Sequence, residues 1–295
     1  MHSRQHSEPH ELRRDIPAPV DTVMDSLVER FERAPHVLCG LDFDGTLAPI
    51  VDEPGAARMT EANRRIVETL SRNPRVTVAI VSGRGLDDLR PRIEPPVLLA
   101  GNHGLEIDRP TAQPGENSSY RRAIHPIAAR ASREIATCCG VLETTFADVP
   151  AVAVEHKRLS GTVHYRTAPD SLSGVIESRV RETLDQLCGD RVRVSTGKSI
   201  VEFAPAIEWG KGSVVELFER ECPPDTLSVF IGDDRTDEDA FEIVEPDGVG
   251  VLVGPTRPSR GSVRLETPDQ VPIVLRAIDS HVDHSEWCAK RNSHT

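Results

Sequence analysis

Residues Val37 to Ile50 read VLCGLDFDGTLAPI, an apolar run that stops on Asp42-Phe43-Asp44 and turns at once through Gly45-Thr46. A turn needs one Asp and one Gly. A pair of carboxylates flanking an aromatic residue needs a further reason. Three other short apolar runs stop as abruptly: RVTVAIV (75–81) at Ser82-Gly83-Arg84, PVLLA (96–100) at Gly101-Asn102-His103-Gly104, and LSVFI (227–231) at Gly232-Asp233-Asp234. Between the first two lies TEANRRIVETLSRN (60–73), a helix-length segment with Ile66, Val67 and Leu70 on one face. Ahead of them, DTVMDSLVERFERA (21–34) carries Val23, Leu27, Val28 and Phe31 on one helical stripe. Continuous apolar runs separated by helices are the pattern of a parallel sheet covered on both faces. In such a doubly wound α/β sheet, ligands bind beyond the carboxyl ends of the strands. The four polar run-ends are therefore expected to serve one site.

The stretch between Asp108 and Pro205 changes character. Ser119 to Cys139 reads as a helix, with Pro126 as a mark of its first turn. AVAVEHKRL (151–159) and TVHYR (162–166) read as two strands around a tight Ser160-Gly161 turn. A helical pattern follows over 172–187, and RVRV-STGK-SIVEF (191–203) is a second hairpin. Helix, hairpin, helix, hairpin is an α+β module inserted into the α/β core. GVGVLVG (248–254) is a further strand, and ETPDQVPIVLRAIDS (266–280) a closing helix. The expected division is a flexible N-terminal extension over 1–20, a core over 21–107 and 206–280, a cap over 108–205, and a flexible tail over 281–295. His281-x-x-His284 in that tail reads as solvated and not as a metal site.

Length supports the same picture, since 295 residues at about 150 per domain suggest two domains. Nothing approaches the roughly 18 consecutive apolar residues of a membrane span, and the polar N-terminus has no apolar core that would make it a secretory leader. Six scattered cysteines with no C-x-x-C point to idle thiols in a reducing compartment, so the cytoplasm is the expected location. The formal charge of −12 and the absence of a basic face exclude a nucleic-acid binder. Only four of the 35 basic residues are lysine (Lys157, Lys198, Lys211, Lys290), which makes each lysine worth asking about.

Carboxylates at two strand ends repel one another unless something positive sits between them. Mg²⁺ suits the task, because it prefers oxygen ligands and bridges to substrate phosphates. A carboxylate can also attack phosphorus and carry the phosphoryl group as an acyl phosphate. Asp42, nearest the strand end, is the candidate nucleophile and a metal ligand. Asp44, beyond the turn, is placed to protonate the leaving alcohol and then activate water. Ser82 offers a hydroxyl and loop amides to phosphoryl oxygens, and Lys211, in WGKGSVVELF (209–218), a fixed cation.

DFDGTL, SGR, Lys211 and GDDRTDEDAF, in that order, resemble the four motifs of the haloacid dehalogenase superfamily. GNHGLE (101–106), VHYR (163–166) and VEFAP…WGKG (201–212) bring the chain closer to trehalose-6-phosphate phosphatases. The resemblance covers roughly Val37 to Ala277. It implies a Rossmann-like core with a mobile cap, and Mg²⁺-dependent hydrolysis of trehalose 6-phosphate through an aspartyl phosphate. It implies that Asp42 is the nucleophile and Asp44 the acid/base, with the main-chain carbonyl of Asp44 also on the metal. Asp233 is the other protein ligand, with Asp234 and Asp237 close by; which of Asp233 and Asp234 binds directly stays open. Lys157, His164, Arg166, Lys198 and Glu202 match polar cap positions of the family, some of which are expected to touch sugar hydroxyls. His103 and Glu106 from the core side, with Gly83 and Arg84, join the substrate-binding set. One departure is Gly210, where the family often carries Asn before the motif lysine. The alternative readings are a phosphatase for another compatible-solute phosphate, such as sucrose phosphate or a glucosyl- or mannosyl-glycerate phosphate, and a non-catalytic sugar-phosphate-binding regulator partnered with trehalose-6-phosphate synthase.

Overall fold

The structure, a computed structural model, describes residues 15–51, 53–111, 120–197 and 199–282. In chain order its first elements are β1 (Ala18–Pro19), α1 (Val20–Arg33), β2 (His36–Leu41), α2 (Glu61–Leu70), β3 (Val76–Val81), α3 (Leu86–Leu89), β4 (Leu98–Gly101), β5 (Glu106–Pro110) and β6 (Tyr120–Ile124). Next come α4 (Pro126–Thr145), β7 (Ala153–His156), β8 (Gly161–His164), α5 (Asp170–Cys188), β9 (Val192–Gly197) and β10 (Ile200–Pro205). The last are α6 (Lys211–Glu221), β11 (Thr226–Gly232), α7 (Glu238–Val244), β12 (Val249–Val253), β13 (Val263–Leu265) and α8 (Val271–His281). The chain divides into two compact units, one formed by residues up to Val78 and from Val215 on, the other by Ala79–Val214.

In the first unit five strands run parallel in the order β1-β13-β12-β11-β2. All six residues of β2 and all five of β12 are buried. A strand covered on both faces cannot alternate polar with apolar, which is why these segments read as continuous apolar runs. α7 packs on β11 and β12, while α1 and α2 both meet α8. Thr60 caps α2 by accepting from the Asn63 N–H at 3.2 Å. The segment expected as a loose extension is held from Asp15 on: Asp15 and Ser259 exchange main-chain hydrogen bonds of 3.1 and 3.0 Å, and Ala18–Pro19 pair with Val263 and Arg264. Residues 1–14 lie outside the described residues, as do His284 and the rest of the tail from 283. His281 Nδ1 meets Glu32 Oε1 at 3.1 Å.

In the second unit β3 and β4 run parallel, and β5 and β6 add to them antiparallel. The segment Ser119 to Cys139 is therefore not one helix. Tyr120–Ile124 alternates in burial as a strand does, and the helix starts at Pro126, where a missing N–H costs nothing. The expected cap boundary at 108 falls inside β5: Asp108 pairs with Leu99 of β4, and residues 120–124 pair in turn with β5. The four-stranded antiparallel sheet β7-β8-β10-β9 packs with α4 and α5 around Ile135, Leu142, Val163, Val180, Val201 and Phe203. The first hairpin turns through Lys157–Ser160, with Arg158 at φ +69°, and not at Ser160-Gly161.

Gly161 is a strand residue whose bareness serves packing. A Cβ there would lie 2.2 Å from the buried Phe203 ring. Gly161→Ala is expected to lower stability by about 1–3 kcal/mol, the usual cost of overpacking, read from the urea midpoint. An unchanged midpoint would show that the ring has room to move.

Candidate active site

The first cluster grows from strand pairing in the first unit. β2 and β11 are parallel neighbours with Leu41 opposite Ile231, and the Asp42 N–H extends the ladder by donating to Ile231 O at 2.9 Å. The chain then turns: Gly45 N–H donates to Ala48 O at 2.7 Å, and Leu47 and Ala48 N–H both donate to Phe43 O. Phe43 is fully buried. The aromatic residue thus pins the turn to the core while its two neighbours carry the carboxylates.

Carboxylate oxygens of Asp42, Asp233 and Asp237 lie within 4.8 Å of one another. At that spacing, and at an effective dielectric near 20, each charged pair repels by about 3 kcal/mol. Gly45 sits at φ +86°, and a Cβ there would come 2.2 Å from Asp233 Oδ2, so this position leaves room for the carboxylate and little else. The buried Thr46 Oγ1 has no hydrogen-bond partner. An all-oxygen set with no His or Cys, closely spaced and otherwise repulsive, fits a hard divalent cation.

The acidic loop after β11 is organised by its own side chains. Asp237 Oδ2 accepts from the N–H groups of Asp233 and Asp234 at 3.0 and 2.9 Å. Asp234 is exposed, and its Oδ1 accepts from Thr236 N, Thr236 Oγ1 and Asp237 N. Gly232 is needed beneath, since a Cβ there would overlap Asp237 Cγ at 2.2 Å. Arg257 braces the loop, donating to the Asp233 and Asp234 carbonyls at 3.2 and 3.1 Å and to Glu238 Oε1 at 2.7 Å. Burial alone would raise the Glu238 carboxyl, but the Arg260 N–H, Arg257 and Ser259 outweigh it and hold it below the usual range.

The second cluster belongs to the second unit. Ser82 is buried at the end of β3, where its N–H donates to Ala100 O at 2.9 Å and its Oγ accepts from Arg84 N–H at 3.2 Å. Lys157 Nζ donates to Glu202 Oε1 at 3.1 Å and to Gly83 O at 3.5 Å. His103 Nε2 lies 3.9 Å from Glu202 Oε2, and a Cβ on Gly83 would stand 2.8 Å from the His103 ring. Gly83, His103, Lys157 and Glu202 are thus brought together. Lys211 is buried as the first residue of α6.

Other expected residues sit differently. Arg84 pairs with Asp88 at 2.6 Å. His164 donates to Glu155 Oε2 at 2.8 Å; burial would lift the Glu155 carboxyl, but that bond and the Lys157 charge outweigh it and keep it low. Arg166 is exposed beyond β8. Lys198 lies outside the described residues. Glu106 does not face outward: it is 2% exposed, and its Oε1 accepts from Leu86 N–H at 2.8 Å and Asn102 Nδ2 at 2.7 Å. Its Oε1 is engaged inside the unit, while its buried Oε2 makes no hydrogen bond among the described residues. Sequence reasoning passed over Arg257, Asn102 and Ser160. Asn102 stood in the GNHGLE motif, whereas Arg257 had no local signal.

A parallel α/β sheet with paired aspartates at adjacent strand ends, carrying an inserted α+β module, defines a haloacid-dehalogenase-like fold. The family model described as trehalose-phosphatase matches residues 40–269, and the chain belongs to that family. It is 37% identical over 215 residues to the trehalose-phosphate phosphatase of Mycobacterium avium (strain 104), covering 71% of this chain and 51% of that protein. The chain therefore spans about half the length of the curated relatives it matches. In fold it resembles the C-terminal domain of C. albicans trehalose-6-phosphate phosphatase, with TM-score 0.74, 23% identity, and coverage of 91% of this chain and all of that one. It also resembles the C-terminal domain of a Candida albicans trehalose synthase regulatory protein, with TM-score 0.61, 11% identity, and coverage of 88% and 98%. Among the described residues no helix is long and apolar enough to cross a membrane.

Proposed function

We propose that the chain hydrolyses trehalose 6-phosphate to trehalose and phosphate, with Mg²⁺ as cofactor. The observation that carries this reading is the Asp42–Asp233–Asp237 cluster at adjacent strand ends in a chain of the trehalose-phosphatase family. Asp42 attacks phosphorus, the P–O bond to the sugar breaks, and an aspartyl phosphate forms. Asp44 protonates the departing sugar oxygen, then takes a proton from the water that attacks the aspartyl phosphate; phosphate leaves and Asp42 is restored. Ser82 and Lys211 bind phosphoryl oxygens. Asp42, Asp233 and the Asp44 carbonyl hold the cation, which when bound neutralises the phosphate and the carboxylates together. Asp233 is the better candidate for direct ligation, because the Asp234 carboxylate already caps the turn into α7. Asp237 orients the loop from behind. His103, Lys157 and Glu202 recognise sugar hydroxyls, with Gly83, Arg84, His164, Arg166 and Lys198 as further substrate contacts. The inserted α+β module serves as the cap that excludes water when substrate binds.

The reaction is assigned to the cytoplasm, with trehalose-6-phosphate synthase as supplier of substrate; five free cysteines among the described residues agree with a reducing compartment. The regulator reading draws on fold alone, and a protein that only binds has no chemical need for Asp42, Asp44, Ser82, Lys211 and Asp233 together. Phosphate release with Mg²⁺, measured over a panel of disaccharide and monosaccharide phosphates, is expected to favour trehalose 6-phosphate and to stop with a chelator. Preference for another sugar phosphate would retain the mechanism and move the substrate; binding without release would establish the regulator.

A further inference from the structure

Asn102 uses every polar atom of its side chain, and its partners lie on three segments of the second unit. Nδ2 donates to Glu106 Oε1 at 2.7 Å and to the main-chain carbonyl of Lys157 at 3.1 Å, while Oδ1 accepts from Ser160 Oγ at 2.5 Å. Its N–H donates to Arg84 O at 2.7 Å. Glu106 in turn fixes Leu86 N–H, so the loop after β3, the loop after β4 and the β7–β8 turn meet at one amide. Asn102 and Ser160 are buried. Asn102 stands at φ +51°, a region that Asn and Gly tolerate better than other residues. The turn it grips is the one that opens with Lys157, whose Nζ reaches Glu202 and the Gly83 carbonyl. Leu159 of the same turn is separately buried with Leu105 and Ala128.

We propose that Asn102, with Ser160, is a positioning residue that sets the register of the Lys157 turn and thereby the chain's selectivity for its sugar. This rests on the reading that Lys157 and Glu202 recognise sugar hydroxyls. The physical reason is the directionality of the amide. It fixes both ends of a four-residue turn that the Lys157 N–H closes on Ser160 O at 2.9 Å; that bond sets the turn's shape but not its place against the loop after β4, and the Leu159 contact is apolar and permits rotation. Asn102→Gly keeps the left-handed backbone and removes the amide, and the Leu159 contacts remain to hold the fold.

The test compares trehalose 6-phosphate with a small aryl phosphate, which carries no sugar. In Asn102→Gly, KM for the sugar phosphate is expected to rise about tenfold or more, as the loss of one or two buried hydrogen bonds brings. Turnover of the aryl phosphate should stay within about twofold of wild type. Ser160→Ala should give a smaller change in the same direction, and Ser160→Thr, which keeps the hydroxyl, should restore the KM. Equal losses on both substrates, or an unchanged KM, would overturn the proposal. If wild type turns over the aryl phosphate but no sugar phosphate, the substrate reading fails on its own. Hydrogen exchange at the amides of residues 157–161 then decides the latch: about tenfold faster exchange in Asn102→Gly sustains it, and unchanged exchange refutes it.

Discussion

Asp42→Asn is expected to lower phosphate release from trehalose 6-phosphate by about 10⁴-fold or more, because an amide cannot form the acyl phosphate through which both steps pass. The change is nearly isosteric, so the ladder bond from the residue 42 N–H to Ile231 O and the Phe43 anchor should persist, and the thermal midpoint should move little. Removing one charge from the crowded trio relieves repulsion, so the apo protein should, if anything, be slightly more stable. Cation binding should weaken but survive, since the amide keeps an oxygen and Asp233 is intact. This combination separates a nucleophile from a mere ligand: a ligand-only role would be largely rescued by excess Mg²⁺, whereas a nucleophile would not. Retention of more than about 1% of the activity at saturating Mg²⁺ would refute the assignment. Asp44→Asn gives the complementary result. An aryl phosphate with a good leaving group does not need protonation, so acyl-phosphate formation should be spared with that substrate and its hydrolysis slowed, which labelled phosphate on the protein would show.

The parts of the molecule legible in the sequence were those with strong local causes. β2 and β12 are buried along their whole length and β11 over its last five residues, so these segments are largely apolar, and the ends of β2 and β11 were visible as abrupt changes to Asp42 and Asp233. α2 was legible because its apolar stripe and its Thr60 cap are both local. Tyr120–Ile124 was not, because its strand character comes from pairing with β5 and leaves only a weak alternation in Tyr-Arg-Arg-Ala-Ile. The turn at Lys157–Ser160 was misplaced for a similar reason: Gly161 looked like a turn residue, but its missing Cβ serves the Phe203 ring across β8 and β10. In the acidic cluster, Asp42 and Asp233 were visible as the ends of buried strands. The division of labour among Asp233, Asp234 and Asp237 did not, since it depends on which oxygens the backbone already occupies. The contacts of Glu106 were equally invisible: its Oε1 binds Leu86 N–H and Asn102 Nδ2, a pairing that only the fold brings about.

Gly45→Ala is expected to cost activity far more than stability. The residue's φ of +86° makes any side chain strained by about 1–2 kcal/mol, but strain alone says nothing of function. What matters is that the new methyl would sit 2.2 Å from Asp233 Oδ2 and 2.6 Å from Oδ1, distances that cannot stand. Either the turn after Asp42 shifts or the Asp233 carboxylate does, and each movement breaks the spacing of the acidic trio. A displacement of about 1 Å at a reacting centre lowers turnover by about 10²-fold, and the Mg²⁺ concentration for half-maximal activity should rise by a similar factor. Gly254→Ala supplies the control within the same unit. It too has left-handed backbone, at φ +117°, but a Cβ there would meet nothing within 4 Å. Both variants should lose the stability that backbone strain costs, Gly45→Ala somewhat more because of the added overlap; only Gly45→Ala should lose Mg²⁺ affinity and turnover. If both lose activity alike, the effect comes from backbone strain, and Gly45 has no special part in shaping the carboxylate site. If neither does, the turn accommodates the methyl by moving away from Asp233, and the close approach that makes this glycine necessary is not used by the reaction.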